Sequence, residues 1–321
     1  MKVVVTDHAF PDLELERRLL EDGGATLVAA QSKDPAVLAR AVADADAVIT
    51  QFAPVNATVI AAMERAKAIV RYGIGVDNVD LDAARGRGIP VCNVPDYCID
   101  EVADHTLAFI LALTRQVVPH ATAVHGGTWA LGCPPAGMRT LAALSTGVVG
   151  FGRIGRGVVR RLLGFGGRVL VADPAVDAES IAAAGAVPAT LDGLLAESDV
   201  ITLHCPSLPQ TRGMINARTL AMLKPGALLV NLSRGDLVDP DALVAALDSG
   251  RLAGAALDVF APEPIPAGHP ILGRPNVVLA PHIASVSAAA VQRLRSTAAE
   301  LALAAVRGRP LPTVVNGVRP A

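Results

Sequence analysis

Short apolar runs without polar alternation, each followed by a stretch of helical period, are the feature that most limits what this chain can fold into. From the N-terminus these runs are "KVVVTD", "ATLVAA", "AVIT" and "AIVRYG", separated by "LELERRLLED", "AVLARAVAD" and "ATVIAAMERA". A strand with one wet face alternates polar and apolar residues. A strand covered on both faces does not, so the pattern predicts parallel strands under helices. It closes near "IPVCNVPDY", and a second series opens at "STGVVGFG" and runs through "RVLVADP", "DVITLHCP", "ALLVNLS", "GAALDVF" and "NVVLAPH". Between the two, "CIDEVADHTLAFILALTRQVVPHATAVHGG" reads as one long connecting helix, with Asp100 as N-cap, Glu101 in its first turn and Pro119 near its end. The last helical stretch, "AAAVQRLRSTAAELALAAVRG", reads as returning to the first series. The expected fold class is therefore α/β: two doubly wound parallel-sheet domains, residues 100–284 inserted into a discontinuous domain of residues 1–99 and 285–321.

The 321 residues, 52% hydrophobic and 18% charged, suffice for two buried cores. A formal net charge of −2 supplies no basic stripe to release counterions, so no nucleic-acid partner is expected. "MKVVVTDHAF" reaches Asp7 and His8 after only three valines, and no apolar run is long enough to span a bilayer, so no membrane partner and a cytoplasmic location are expected. Cys92, Cys98, Cys133 and Cys205 form no C-x-x-C pair and read as free thiols, with no metal site expected.

In "GVVGFGRIGRGVV", Gly150, Gly152 and Gly155 have the G-x-G-x-x-G spacing. An apolar strand precedes them, a helical stretch follows, and Asp173 ends the next strand, the context in which this spacing binds a dinucleotide. Gly150 permits the tight turn, Gly152 admits a pyrophosphate, and Gly155 lets helix and strand pack. Arg153 and Ile154 offer amides at the helix N-terminus. Asp173 suits the adenosine ribose hydroxyls and repels a 2′-phosphate, and Pro174, Ala175 and Val176 bring no cation, so NAD is expected over NADP.

Three chemistry-bearing residues follow successive apolar runs: Arg234 after "ALLVNLS", Glu263 after "GAALDVF" and His282 after "NVVLAP". Carboxyl ends of strands border the ligand crevice in a doubly wound sheet, so the three can converge there. Taken one at a time, Arg234 also fits a surface ion pair, Glu263 a solvated loop and His282 a core histidine.

Together, "GFGRIG", "NLSRGDLVD", "ALDVFAPEP" and "APHIAS", in this order and spacing, resemble the NAD-dependent D-isomer-specific 2-hydroxyacid dehydrogenase family, as do "RYGIGVDNVD" and "VPDYCIDEVADHTLAFIL". The resemblance extends over nearly the whole chain. It implies a Rossmann NAD-binding domain inserted into a flavodoxin-like substrate-binding domain, and hydride transfer between NAD and a small 2-oxo or D-2-hydroxy acid. His282 would be the general acid/base, Glu263 its partner, and Arg234 the group that binds the substrate carboxylate. Amides of Ile74 and Gly75 would hold that carboxylate from the other domain, with the glycines around Ile74 giving an anion bare backbone to approach. Asp258 would bond the nicotinamide carboxamide, and Cys205, Pro206, Thr211, Leu232 and Ser233 would line the cofactor. His105 and His204 read as structural. The family also implies a homodimer, with the "HGGTWALGCPPAGM" arm crossing to the partner and Trp129 at an interface or in a core. The chain stops at "LPTVVNGVRPA", so feedback control through an appended regulatory domain is not expected.

Two other readings fit the same motifs. One is a reductase of a phospho- or phosphono-2-oxoacid, with Arg71 as the extra cation. The other is an NAD(H)-responsive binding scaffold similar to the C-terminal-binding corepressors. Selection among 2-oxo acids is expected from the loops around Phe52, Tyr72, Tyr97 and Trp129.

Overall fold

A computed structural model of the protein describes residues 1–318, so the last three residues of the expected first domain lie outside the described residues. The chain forms two compact units, Met1–Tyr97 joined by the segment from Ser287 onward, and Cys98–Val286.

In the first unit, β1 (Lys2–Val5), α1 (Glu14–Asp22), β2 (Thr26–Ala29), α2 (Pro35–Val42), β3 (Ala47–Thr50), α3 (Ala57–Ala61), β4 (Ile69–Arg71), α4 (Leu81–Gly86) and β5 (Val91–Cys92) follow one another. The five strands are parallel in the order β2-β1-β3-β4-β5. Val3, Val4, Val5, Val48, Ile49, Ile69 and Val70 are all fully buried, which is why these runs carry no polar alternation. Asp34, Asn56 and Asp80 each accept a main-chain amide at a helix N-terminus and so start α2, α3 and α4.

The C-terminal helix Ala288–Val306 is tied to α1 by a buried ion pair. Arg295 forks onto Glu16, Nε to Oε1 at 2.8 Å and a terminal nitrogen to Oε2 at 2.6 Å, and Glu16 is fully buried. Tyr72 Oη donates to Glu16 Oε1 at 3.1 Å, and Phe10 lies edge-on to Tyr72 and beneath the Arg295 guanidinium. Tyr72 is therefore a core residue whose hydroxyl is committed inward, whereas Phe52 is 45% exposed.

The second unit opens with α5 (Ile99–Thr114) and α6 (Val117–His125). The expected single helix is two, bent by 66°. Pro119 explains the break: in a continuous helix it would have to donate an amide it lacks to the carbonyl four residues back, at Arg115, and its ring would clash there. The chain resolves this by placing Gln116 in the left-handed region (φ 51°), so that Pro119 falls in the first turn of α6, where no amide is needed. The expected N-cap is also corrected. Cys98 holds that position, and Asp100 sits in the first turn, where it pairs with Arg160 and Arg161.

Next come β6 (Ser145–Val149), α7 (Arg153–Leu163), β7 (Arg168–Ala172), α8 (Ala178–Ala183), β8 (Val187–Pro188), α9 (Leu191–Glu197), β9 (Val200–Leu203), α10 (Ala217–Ala221), β10 (Ala227–Asn231), α11 (Pro240–Asp248), β11 (Leu252–Leu257) and β12 (Val277–Leu279). The sheet is parallel throughout, in the order β12-β11-β10-β9-β6-β7-β8. Strand order reverses between β6 and β9, the switch point at which doubly wound sheets open a crevice at their carboxyl ends. Among the described residues no single helix is long and apolar enough to cross a membrane.

The Glu16–Arg295 pair yields a stability prediction for the first unit. Arg295→Met should strand the Glu16 carboxylate and cost about 3–5 kcal/mol. The double variant Glu16→Leu with Arg295→Met should recover much of that loss in urea unfolding. Additive losses would show that the pair does not act as one buried unit.

Candidate active site

The glycine-rich turn leaves β6 and enters α7. Gly150 has φ 97°, and a Cβ there would sit 2.7 Å from the His204 carbonyl carbon and the Cys205 amide nitrogen. A Cβ on Gly155 would lie 2.1 Å from the Gly150 carbonyl oxygen, so this glycine lets the helix start against the turn itself. At Gly152 a Cβ would meet nothing within 4 Å. The first and third glycines are thus required by the protein's own backbone, whereas the second borders open space above the N-terminus of α7. Gly152 caps α7 without a side chain, and the amides of Arg153 and Ile154 lie in its first turn, a cradle that fits a dinucleotide pyrophosphate.

Asp173 follows β7. One carboxylate oxygen accepts the Phe151 amide at 2.7 Å and the other the Ala175 amide at 2.9 Å, so it pins the glycine turn as well as standing beside it. His204 follows β9; burial pushes its imidazole down to about 3, and Thr202 Oγ1 lies 2.9 Å from its Nε2. It is neutral at physiological pH. Cys205 is buried, and burial raises its thiol to about 11, so it contributes no thiolate. All four cysteines are free thiols. Thr211 Oγ1 accepts from the Leu208 amide and donates to the Pro206 carbonyl, closing the loop after β9.

The three strands beyond are followed by Arg234, Glu263 and His282. Arg234 follows β10, and its guanidinium donates to the Ser233 carbonyl at 2.8 Å. His282 follows β12 and Glu263 follows β11. His282 Nδ1 lies 2.9 Å from Glu263 Oε2, while Glu263 Oε1 accepts the Phe260 amide at 3.0 Å. Partial burial works to raise the Glu263 carboxyl, but the His282 hydrogen bond, the Phe260 amide and the charges of His282 and Arg234 together hold it below its ordinary value. The carboxylate is ionised and can only accept, so Nδ1 carries the proton and Nε2 is the nitrogen free to exchange one. The action of the Arg234 charge on Glu263 also places the three residues in one electrostatic neighbourhood.

His282 has φ 57°, and its backbone is held there by Asp258. The His282 amide donates to the Asp258 carbonyl at 2.8 Å, and the Ile283 and Ala284 amides donate to the two Asp258 carboxylate oxygens, each at 2.8 Å. Asp258 is only 2% exposed. Asn231, not singled out in the sequence, does the corresponding work one strand away: its Nδ2 donates to the Arg234 carbonyl at 2.8 Å and its Oδ1 accepts the Ser233 amide at 3.0 Å. An Asn at a strand end two residues before a turn carries this potential as a local signal. Leu232 between them is buried.

Ile74 and Gly75 lie in the first unit, after β4. The Ile74 carbonyl accepts from Asn93 Nδ2 at 2.7 Å. Gly73 has a reason the sequence did not show: φ is 141°, and a Cβ would fall 1.5 Å from the Arg71 guanidinium, which rests against it. Trp129 is 90% exposed, so it is not a core residue of this chain.

A glycine turn open at a helix N-terminus, with a histidine–carboxylate pair and an arginine at the carboxyl ends of the same parallel sheet, fits the class of dinucleotide-dependent oxidoreductases. Residues 107–284 match the family described as D-isomer specific 2-hydroxyacid dehydrogenase, NAD binding domain. The chain is 39% identical over 280 residues to D-3-phosphoglycerate dehydrogenase of Mycobacterium tuberculosis, which covers 87% of this chain and 52% of that protein. It is also 39% identical over 283 residues to glyoxylate reductase of Korarchaeum cryptofilum, covering 87% of this chain and 85% of that one. The crystal structure of Aquifex aeolicus D-lactate dehydrogenase with NAD and lactic acid superposes with a TM-score of 0.88 at 31% identity, over 95% of this chain and 96% of that one. The protein belongs to the D-isomer specific 2-hydroxyacid dehydrogenase family, and its second unit carries the family's NAD-binding domain. It spans about half the length of the phosphoglycerate dehydrogenases it matches.

Two glycine substitutions separate the turn's tasks. Gly155→Ala should lower the melting temperature and abolish NADH binding, because its methyl group overlaps main chain. Gly152→Ala should leave the melting temperature within a few degrees and weaken NADH binding, read by fluorescence titration. Unimpaired binding in the latter would mean that the open space at Gly152 is not where the pyrophosphate lies.

Proposed function

We propose that the protein interconverts a small 2-oxo acid and its D-2-hydroxy acid with NAD. The carrying observation is the His282–Glu263 pair at 2.9 Å, with the charge of Arg234 acting on it at one sheet edge. NAD, when bound, supplies the acceptor or donor of the hydride. The chain's own residues do the rest. Glu263 orients His282 through Nδ1, leaving Nε2 to deliver a proton to the substrate oxygen in reduction and remove it in oxidation. Arg234 presents a permanently charged fork to the substrate carboxylate, and the amides of Ile74 and Gly75 are assigned to the same carboxylate.

For the cofactor, we assign Gly150, Gly152, Arg153, Ile154 and Gly155 to the pyrophosphate. Asp173 is assigned to the adenosine ribose, each of its oxygens keeping a lone pair beyond its amide bond. Its charge favours NAD over NADP. Cys205, Pro206, Thr211, Leu232 and Ser233 are assigned to the walls. For Asp258 we place anchoring of the His282 loop ahead of a carboxamide contact, since both of its oxygens already accept amides. Residues 100–284 are the cofactor domain in this reading, and residues 1–99 with 285–321 the substrate domain.

One observation favours a phospho- or phosphono-2-oxoacid as a second reading. Arg71 lays its guanidinium against Gly73, one residue from Ile74, where a second anionic group would meet it. We also propose a homodimer. No residue of α6 is buried, and Val117, Val118, Val124, Trp129 and Leu131 are exposed along that helix and the arm after it. Free thiols support a cytoplasmic setting.

NADH oxidation should be measured against glyoxylate, pyruvate, hydroxypyruvate and branched, aromatic and phosphorylated 2-oxo acids, with NADPH in parallel. His282→Ala should reduce turnover of the best substrate by about 10²–10⁴-fold, with NADH affinity within a few-fold. Full activity in that variant would remove His282 from the mechanism, and preference for a phosphorylated acid would favour the second reading. Sedimentation should give a dimer, and Trp129→Lys with Leu131→Lys should shift it toward monomer. A parent protein that is monomeric at working concentration would exclude the dimer.

A further inference from the structure

The Arg234 loop is more tightly cross-linked than its length requires. It spans only three residues beyond β10, yet Ser233 is engaged through its amide, hydroxyl and carbonyl, and Arg234 through its carbonyl and guanidinium. The Ser233 amide donates to Asn231 Oδ1, the Ser233 hydroxyl donates to the Cys205 carbonyl, the Ser233 carbonyl accepts the Arg234 guanidinium, and the Arg234 carbonyl accepts Asn231 Nδ2. Asn231 is 1% exposed, so its amide group has no water to turn to. Its oxygen and nitrogen are each matched to one main-chain group of opposite kind, which fixes both the flip of the amide and the path of the chain between residues 231 and 234.

The same residue reaches the histidine through the main chain. The Asp258 amide donates to the Asn231 carbonyl at 3.0 Å, and the Asp258 carbonyl accepts the His282 amide at 2.8 Å. The loops of Arg234 and His282 therefore hang from one buried polar chain that starts at Asn231.

We propose that Asn231 is a positioning residue for the reaction: it aims Arg234 at the substrate carboxylate while touching neither substrate nor cofactor. The inference rests on the role of Arg234 given above. The fixed main chain sets where the Arg234 side chain begins and where the Ser233 carbonyl that holds its guanidinium stands, and a displacement of about 1 Å can cost 10²-fold in such a site. Asn231→Asp is nearly isosteric and separates the two bonds. It keeps an acceptor for the Ser233 amide but sets a carboxylate oxygen against the Arg234 carbonyl, where two acceptors cannot pair.

The test compares the parent with Asn231→Ala and Asn231→Asp in three readouts: KM and kcat for the best 2-oxo acid, the inhibition constant of oxamate as a carboxylate probe, and the dissociation constant of NADH. Both variants should raise KM and the oxamate constant together by about tenfold to 10²-fold. NADH affinity should fall by several-fold less than oxamate affinity, since Ser233 is only one of the residues assigned to the cofactor walls, and the pH profile should stay in place because the His282–Glu263 pair is untouched. If Asn231→Ala does not fold, Asn231→Asp carries the comparison. Equal losses for oxamate and NADH, or no loss for either, would overturn the positioning role and mark Asn231 as merely structural. A parent that binds oxamate but reduces no 2-oxo acid would overturn the functional reading while oxamate binding still reports on the clamp.

Discussion

The hydrogen bonding of the Asp258 carboxylate is what the His282 edge of the second unit depends on. Asp258 lies 2% exposed at the end of β11, where an uncompensated charge would be expensive, and it is compensated by the amides of Ile283 and Ala284. Those bonds hold His282 at φ 57°, a conformation that costs an L-residue about 1–2 kcal/mol. Hydrogen bonds to a charged acceptor contribute about 1.5–3 kcal/mol each, so the anchoring outweighs the strain. With the backbone fixed, the imidazole meets Glu263 at 2.9 Å and has one nitrogen left for chemistry.

A parallel sheet buried on both faces leaves little room for polar groups except at its strand ends. The second unit concentrates them there. Gly150 and Gly155 let β6, β9 and α7 approach within main-chain contact, and Asp173 ties the turn back to β7. Two and three strands from β6, Asn231 and Asp258 do for the Arg234 and His282 loops what Asp173 does for the turn. In each case a nearly or partly buried side chain satisfies amides that would otherwise point into a crevice, and a functional group is held in place as a result. The first unit repeats the device at its own switch point, where the Asp7 carboxylate after β1 accepts the amides of Gln51 and Phe52 after β3.

Much of this was legible from the residues, because the signals are local. Unbroken apolar runs mark buried parallel strands whatever their neighbours are, and G-x-G-x-x-G between a strand and a helix has few other uses. Arg234, Glu263 and His282 stood out because each follows such a run. Other features were not legible. Pro119 was read as the end of one helix, and its effect was to split that helix, since the cost of a missing amide falls on the residue four positions earlier. The glycines around Ile74 were read as bare backbone for an anion, and nothing local announced that the Arg71 guanidinium lies against Gly73. Nor did the residues around Tyr72 show that its hydroxyl bonds Glu16, a partner 56 residues away in sequence.

By itself, then, the sequence determined the class of sheet, the position of the dinucleotide turn and the chemical types gathered at the strand ends, because periodicity, glycine spacing and side-chain chemistry are properties of neighbouring residues. Only the tertiary structure decided which of those side chains meet. The pairing of His282 with Glu263, the clamp of Asn231 on the Arg234 loop and the fork of Arg295 on Glu16 each join residues whose contact depends on strand order and on loop conformation. Those in turn are set by what must be buried and what must be hydrogen-bonded once it is, a balance struck over the whole unit.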